Sequence, residues 1–64
     1  MKVGVIGIGY WGKKHVDEYI QLGHDVTICD NDEQNILECK KLFEVVEVKN
    51  FEDILNDDTI KNLS

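Results

Sequence analysis

The feature that most constrains this chain is a glycine-rich run, Gly7-Ile8-Gly9-Tyr10-Trp11-Gly12, between an apolar strand-like segment and a helix-like one. In that context a G-x-G-x-x-G run is typical of the turn that binds a dinucleotide pyrophosphate. A single acid, Asp30, follows the second strand-like segment, about 20 residues further on, where such folds hold the adenosine ribose. The sequence therefore predicts a nicotinamide cofactor site built from this turn and Asp30.

Each residue of the run has its own expected role. Gly7 makes the tight turn off the first strand, Gly9 lets the backbone approach a pyrophosphate, and Gly12 lets the helix pack closely on the strand. The backbone N–H groups of Tyr10 and Trp11 are expected to point at the phosphates from the helix N-terminus, where the helix dipole favours anions. We expect the Trp11 ring either to shield the pyrophosphate or to pack on a neighbouring loop.

The carboxylate of Asp30 predicts which cofactor is bound. It is expected to accept hydrogen bonds from the ribose hydroxyls and to repel a 2′-phosphate. The chain contains no arginine to bind such a phosphate, so NAD is favoured over NADP. The alternative interpretation is that Asp30 only caps the following helix. Near the predicted phosphate site, Lys13 and Lys14 are expected to be solvated, and His15 is expected to pack on the apolar side of its helix.

Hydrophobic periodicity indicates the order β-α-β-α-β-α, followed by the approach to a fourth strand. The predicted strands cover residues 2–7, 25–29, 45–48 and 59–64. The first predicted helix begins at Tyr10, the second is capped by Asn31 or Asp32, and the third is capped by Asn50. This alternation predicts an α/β fold, namely the first β-α-β-α-β half of a Rossmann-type doubly wound parallel sheet, with a short third helix.

Such a half-fold is expected to leave one sheet face incompletely covered. Right-handed crossovers that step the same way along a sheet place their helices on the same face. The other face is normally covered by helices of the second half of the fold. We therefore expect alternate residues of the first and third strands to lack full cover. We also expect residues 1–64 to belong to a larger protein, or to form a homo-oligomer over that face.

The composition of the chain argues against nucleic acid, membranes and metal ions as partners. The formal net charge is -6 and all seven basic residues are lysine, so the basic patch that nucleic-acid binding requires is not expected. Apolar runs are shorter than a membrane span and no targeting segment precedes the first strand, so we expect a cytoplasmic location without a membrane partner. Cys29 and Cys39 lack metal-ligand spacing and are expected to be reduced core residues, and no metal site is predicted.

Residues 7–15, with the pattern G-x-G-x-x-G-x-x-H, resemble the N-terminus of the glucose-fructose oxidoreductase/inositol dehydrogenase/rhizopine catabolism (Gfo/Idh/MocA) family. Asp30 matches the acid that this family carries after its second strand, and residues 51–58 are similar to its short helix before the fourth strand. The resemblance covers the whole chain. It implies a two-domain oxidoreductase, a dehydrogenase that exchanges hydride between a nicotinamide cofactor and a sugar, inositol or nucleotide-sugar substrate.

The resemblance also implies where catalysis takes place. The family's catalytic lysine, in a Glu-Lys-Pro motif, and its downstream catalytic histidine have no counterpart in residues 1–64. No catalytic residue is therefore assigned, and we expect residues 1–64 alone to turn over no substrate and to bind NAD weakly.

Two other resemblances stay open. Gly9-Tyr10 and residues 23–26 are also similar to nucleotide-sugar dehydrogenases of the UDP-glucose type, although those usually have a small aliphatic residue at the position of Trp11. Residues 23–27 followed by Asp30 resemble the regulatory domains of potassium transport systems, which bind NAD or ATP without catalysis. Those domains commonly carry arginine near the position of Tyr10 and lack the signature of residues 11–15, which argues against them.

Overall fold

A computed structural model describes residues 1–63 as a parallel sheet with helices on both faces. The strands are β1 (Lys2–Ile6), β2 (Asp25–Cys29), β3 (Val46–Glu47) and β4 (Ile60–Leu63). The helices are α1 (Tyr10–Gln21), α2 (Glu33–Leu42) and α3 (Phe51–Leu55). All pairs are parallel and the strand order is β3-β2-β1-β4, which confirms the predicted α/β Rossmann-type architecture. The fourth strand was predicted to reach Ser64, which lies outside the described residues.

The register of β1 against β2 places the main core on one face of the sheet. Val3 pairs with Val26 and Val5 with Ile28, and paired residues of parallel strands point to the same side. We call this side, covered by α1 and α2, the first face. Its buried cluster comprises Val3, Val5, Ile8, Val16, Val26, Ile28, Ile36 and Cys39.

The second face of the sheet, which includes Gly4, Ile6, Thr27, Cys29 and Val46, is covered by α3. The connection from β3 to β4 runs back across the sheet, so a right-handed crossover places its helix on this side. Ile54 of α3 is 2% exposed, and a Cβ added to Gly4 would lie 2.5 Å from its Cγ2. Cover is incomplete at the carboxyl end of β1 and on the edge strand β3, because Ile6 is 38% and Val46 is 61% exposed. The expected gap on β1 and β3 is therefore present, but α3 covers the centre.

Element ends follow local chemistry. The first helix ends next to Gly23, whose φ of 84° is left-handed and costs glycine little. The second helix begins after Asp32, not Asn31, because the Asp32 carboxylate accepts the N–H of Gln34 at 2.9 Å. The prediction for the third strand was too long, since β3 is an edge strand that pairs only through Val46 and Glu47. Within residues 1–63 no helix combines the length and apolar character needed to cross a membrane.

Candidate functional site at the carboxyl edge of the sheet

The glycine-rich run forms a tight turn between β1 and α1, as predicted for Gly7. This residue has a φ of 88°, in the left-handed region that favours glycine. Its N–H donates to the carbonyl of Cys29 at 2.9 Å, which ties the turn to the end of β2. Ile8, the next residue, is fully buried in the first-face cluster. The turn is therefore fixed from both sides by the fold.

The two remaining glycines of the run have different surroundings. A Cβ on Gly12 would collide with the carbonyl group of Gly7, so α1 can begin against the turn only with glycine there. Gly9 has an extended backbone, and an added Cβ would meet no atom within 4 Å. The close helix packing expected at Gly12 is present, and the backbone at Gly9 is open to an incoming group.

The N-terminus of α1 presents backbone donors beside Gly9. The first turn of a helix has no preceding carbonyls to accept its N–H groups, and the first backbone bond here is from Lys13 N–H to the Gly9 carbonyl at 2.9 Å. Gly9 supplies no side-chain cap, and the first turn contains no acidic residue. The N–H groups of Tyr10, Trp11 and Gly12 can therefore donate to an anion, which the helix dipole also favours.

The aromatic side chains of this turn stand on the surface of α1. The rings of Tyr10 and Trp11 are each 69% exposed and meet edge to face, with centroids 5.4 Å apart. The Lys14 ammonium lies 5.0 Å from the Tyr10 centroid and 5.4 Å from the Trp11 centroid. Trp11 thus packs within its own helix and not on a neighbouring loop. Lys14 is exposed, as expected, with a cation–π contact to both rings.

Two other expectations for α1 were wrong. Lys13 is not simply solvated, because its ammonium pairs with Glu38 of α2 at 2.9 Å. His15 is exposed and not packed on the apolar side. It precedes Val16, the buried centre of the helix face, by one residue, and one residue is a rotation of about 100° around the helix. That rotation turns the imidazole towards solvent.

The carboxylate of Asp30 accepts three hydrogen bonds at the end of β2. Oδ2 accepts the N–H of Ile8 at 2.5 Å and the side-chain amide of Asn35 at 3.3 Å, and Oδ1 accepts the N–H of Asp32 at 2.7 Å. Burial acts to raise the pKa of Asp30, but the bonds from Asp32, Ile8 and Asn35, together with the backbone N–H of Asn31, outweigh it and leave the pKa below its usual value. The group is therefore an anion at neutral pH. It does not itself cap α2, since Asp32 does so.

A cleft of about 290 Å³ opens where the carboxyl ends of β1, β2 and β3 meet. Its lining residues are Ile6, Gly7, Cys29, Asp30, Asn31, Lys49, Asn50 and Phe51. The cleft joins Gly7 and Asp30, whereas Gly9, Tyr10, Trp11 and Gly12 are not among its lining residues. Carboxyl ends of parallel strands are where open α/β sheets bind ligands.

One wall of this cleft is formed by residues that follow β3, which were not predicted as site residues from the sequence. Lys49, Asn50 and Phe51 line it, and their position directly after the third strand was the available signal. The Lys49 ammonium is held by Glu47 at 2.9 Å, and that hydrogen bond raises the pKa of Lys49. Among residues 1–63, no three His, Cys, Asp or Glu side chains are grouped so as to hold a metal ion.

Comparison with known proteins gives one match. The model of the Gfo/Idh/MocA family, described as an oxidoreductase family with an NAD-binding Rossmann fold, matches residues 1–64. No curated protein and no solved structure matches the chain. The match covers the glycine-rich turn, Asp30 and the whole of the sheet described above.

Proposed function

Since the chain belongs to the Gfo/Idh/MocA family of NAD-binding oxidoreductases, we propose that residues 1–64 form the first part of its cofactor domain and bind NAD in the cleft. The observation that carries the proposal is the bond from Ile8 N–H to the Asp30 carboxylate. This bond joins the glycine-rich turn to Asp30 at the sheet edge where dinucleotides bind, which supports a phosphate site at the turn and a ribose site at the acid.

The turn suits a pyrophosphate group. The open space beside Gly9 leaves its backbone accessible, and the N–H groups of Tyr10, Trp11 and Gly12 stand at the positive end of a 12-residue helix. We propose that these donors bind the pyrophosphate, with Gly7 setting the turn. The exposed Trp11 ring would then shield one side of the phosphates from water.

Asp30 suits the adenosine ribose of NAD better than that of NADP. Its hydrogen bonds keep it ionised, so it accepts from a ribose hydroxyl and repels a 2′-phosphate. Lys49 is the cation that lines the cleft, and it is paired with Glu47. Because Glu47 offsets the charge of Lys49, Asp30 would be the uncompensated charge that meets the adenosine end.

The bound nicotinamide would supply the hydride chemistry, and this part of the chain would hold and orient the cofactor. We propose that the parent protein is a dehydrogenase acting on a sugar, inositol or nucleotide-sugar substrate, whose proton-transfer groups and substrate domain lie outside residues 1–64. The proposal includes a cytoplasmic location. Residues 1–64 alone would then bind cofactor weakly and turn over no substrate.

A calorimetric titration of the purified protein with NADH and NADPH tests the cofactor proposal. We expect tighter binding of NADH, and we expect Asp30→Asn to weaken NADH binding about tenfold while leaving NADPH binding unchanged or improved, since a charged acceptor is lost. The control is Asp58→Asn, a change at an exposed acid away from the cleft. Failure of the wild-type protein to bind either nucleotide, or equal losses for both, would contradict the proposal.

A further inference from the structure

Asn35, in the first turn of α2, is the one side-chain donor to the Asp30 carboxylate among residues 1–63. The other two donors, Ile8 and Asp32, act through their backbone N–H groups. Backbone donors are present whatever the side chain, so Asn35 is where the sequence sets the orientation of this carboxylate. Its side chain is half-buried and reaches Oδ2 across 3.3 Å.

The donors to Asp30 determine which of its carboxylate oxygens remains available to a ligand. A carboxylate offers about four positions, two on each oxygen. Ile8 and Asn35 both donate to Oδ2, and Asp32 donates to Oδ1. Oδ2 therefore has both of its positions filled, which leaves Oδ1 as the oxygen that can accept from a group in the cleft that Asp30 lines.

We propose that Asn35 is a positioning residue for ribose recognition, which occupies Oδ2 of Asp30 so that Oδ1 takes one hydroxyl of the adenosine ribose. This inference rests on the proposed function, because it presumes that an adenosine nucleotide enters the cleft. The amide is neutral and leaves the charge of Asp30 intact. It therefore orients the carboxylate and leaves its repulsion of a 2′-phosphate intact. A lysine or arginine at position 35 would weaken that repulsion.

Calorimetric titration of the full chain with ADP and with 2′,3′-dideoxy-ADP separates positioning from a general structural effect. We expect Asn35→Ala to lower ADP affinity about fivefold, the value of one hydrogen bond, and to change dideoxy-ADP affinity by less than about twofold. The matched control is Gln34→Ala, because Gln34 is the neighbouring exposed amide and its side chain hydrogen-bonds Glu38 and is not a donor to Asp30. This control should bind both nucleotides like the wild type.

The isosteric variant Asn35→Asp provides a second test of the positioning role, which applies even if the alanine variant folds poorly. At neutral pH its introduced carboxylate repels Asp30, so ADP should bind more weakly relative to dideoxy-ADP. Below about pH 5 the introduced group takes up a proton and can donate it to Asp30, so the relative affinity should recover. Equal losses for both nucleotides, or no recovery in acid, would overturn the positioning role. A wild-type protein that binds neither nucleotide would instead overturn the proposed function, and this inference with it.

Discussion

A side chain on Gly12 would run into the carbonyl group of Gly7, because α1 begins directly against the turn that leaves β1. Gly9, between them, stands in open space, where an added Cβ meets no atom within 4 Å. The two glycines therefore have different structural roles, although they belong to one short motif. Gly12 is required for the helix to pack, whereas Gly9 keeps the backbone accessible from outside.

This difference predicts unequal effects on stability. We expect Gly12→Ala to lower the free energy of unfolding by about 2–3 kcal/mol, the usual cost of forcing a methyl group into packed structure. Gly9→Ala should cost at most about 1 kcal/mol, since its backbone is extended and alanine is only a poorer N-cap than glycine. Urea unfolding followed by circular dichroism measures both. Similar losses for the two variants would show that the clash at Gly12 is relieved by a small shift of α1.

The network at Asp30 predicts a contribution to folding that is independent of any ligand. Asp30→Asn removes the charge that accepts from Ile8 and Asp32, and we expect a loss of about 1–2 kcal/mol at neutral pH. The pKa of Asp30 is lowered in the folded state, so its stabilisation is fully present above the unfolded pKa near 3.8. It is lost as the pH falls through the lower folded value. The difference in urea midpoint between the wild type and the variant should therefore be constant from pH 7 down to about pH 5 and should shrink as the pH falls below 3.8.

The fold was predictable from sequence because its signals are local. The alternation of apolar strands with amphipathic helices fixes the element order, and Gly7 and Gly23 mark turns that require a left-handed backbone. The acid after β2 was identified for the same reason, since its spacing from the motif follows from the β-α-β unit. These features depend on residues close together in the chain.

The features that were not predicted from the sequence depend on tertiary contacts between residues that are distant in the chain. The pairing of Lys13 with Glu38 needs the angle between α1 and α2. The bond from Asn35 to Asp30 needs the path of the loop between β2 and α2. The position of Lys49 in the cleft follows from how far β3 extends, which was overestimated. No period or motif in the sequence encodes these distances.

Because α3 packs on the second face through Ile54, we expect this side chain to stabilise that face. Ile54 is 2% exposed and lies against Gly4, so Ile54→Ala should cost about 2–4 kcal/mol through lost burial and the cavity left behind. The matched control is Leu55→Ala, because Leu55 is 54% exposed on the same helix, and it should cost about 0.5 kcal/mol or less. Urea unfolding of both variants makes the comparison. A small effect at Ile54 would mean that α3 contributes little to the stability of the sheet.

Asp57 links the turn after α3 to the start of β1 and predicts an acid-sensitive contact. Its Oδ1 accepts the hydroxyl and the N–H of Thr59, and its Oδ2 pairs with the Lys2 ammonium at 3.0 Å. These bonds, the Thr59 hydroxyl foremost, lower the pKa of Asp57 to about 2 from an ordinary value of 3.8. Because the folded pKa is the lower one, the stabilisation is fully present above pH 3.8, declines below that pH and is lost as the pH falls through 2.

Asp57→Asn should therefore be less stable than the wild type at pH 7, and the difference should become small near pH 2, where about half of the folded molecules carry a protonated Asp57. The matched control is Asp58→Asn, which changes the neighbouring exposed acid and should follow the wild type across the range. Thermal midpoints at pH 7, 4 and 2 make the measurement, with a moderate salt series at pH 7. Salt should reduce the difference only in part, because it screens the Lys2 pair more than it weakens the bonds from Thr59. A difference that persists unchanged at pH 2 would assign the loss to the geometry of the turn and not to the charge of Asp57.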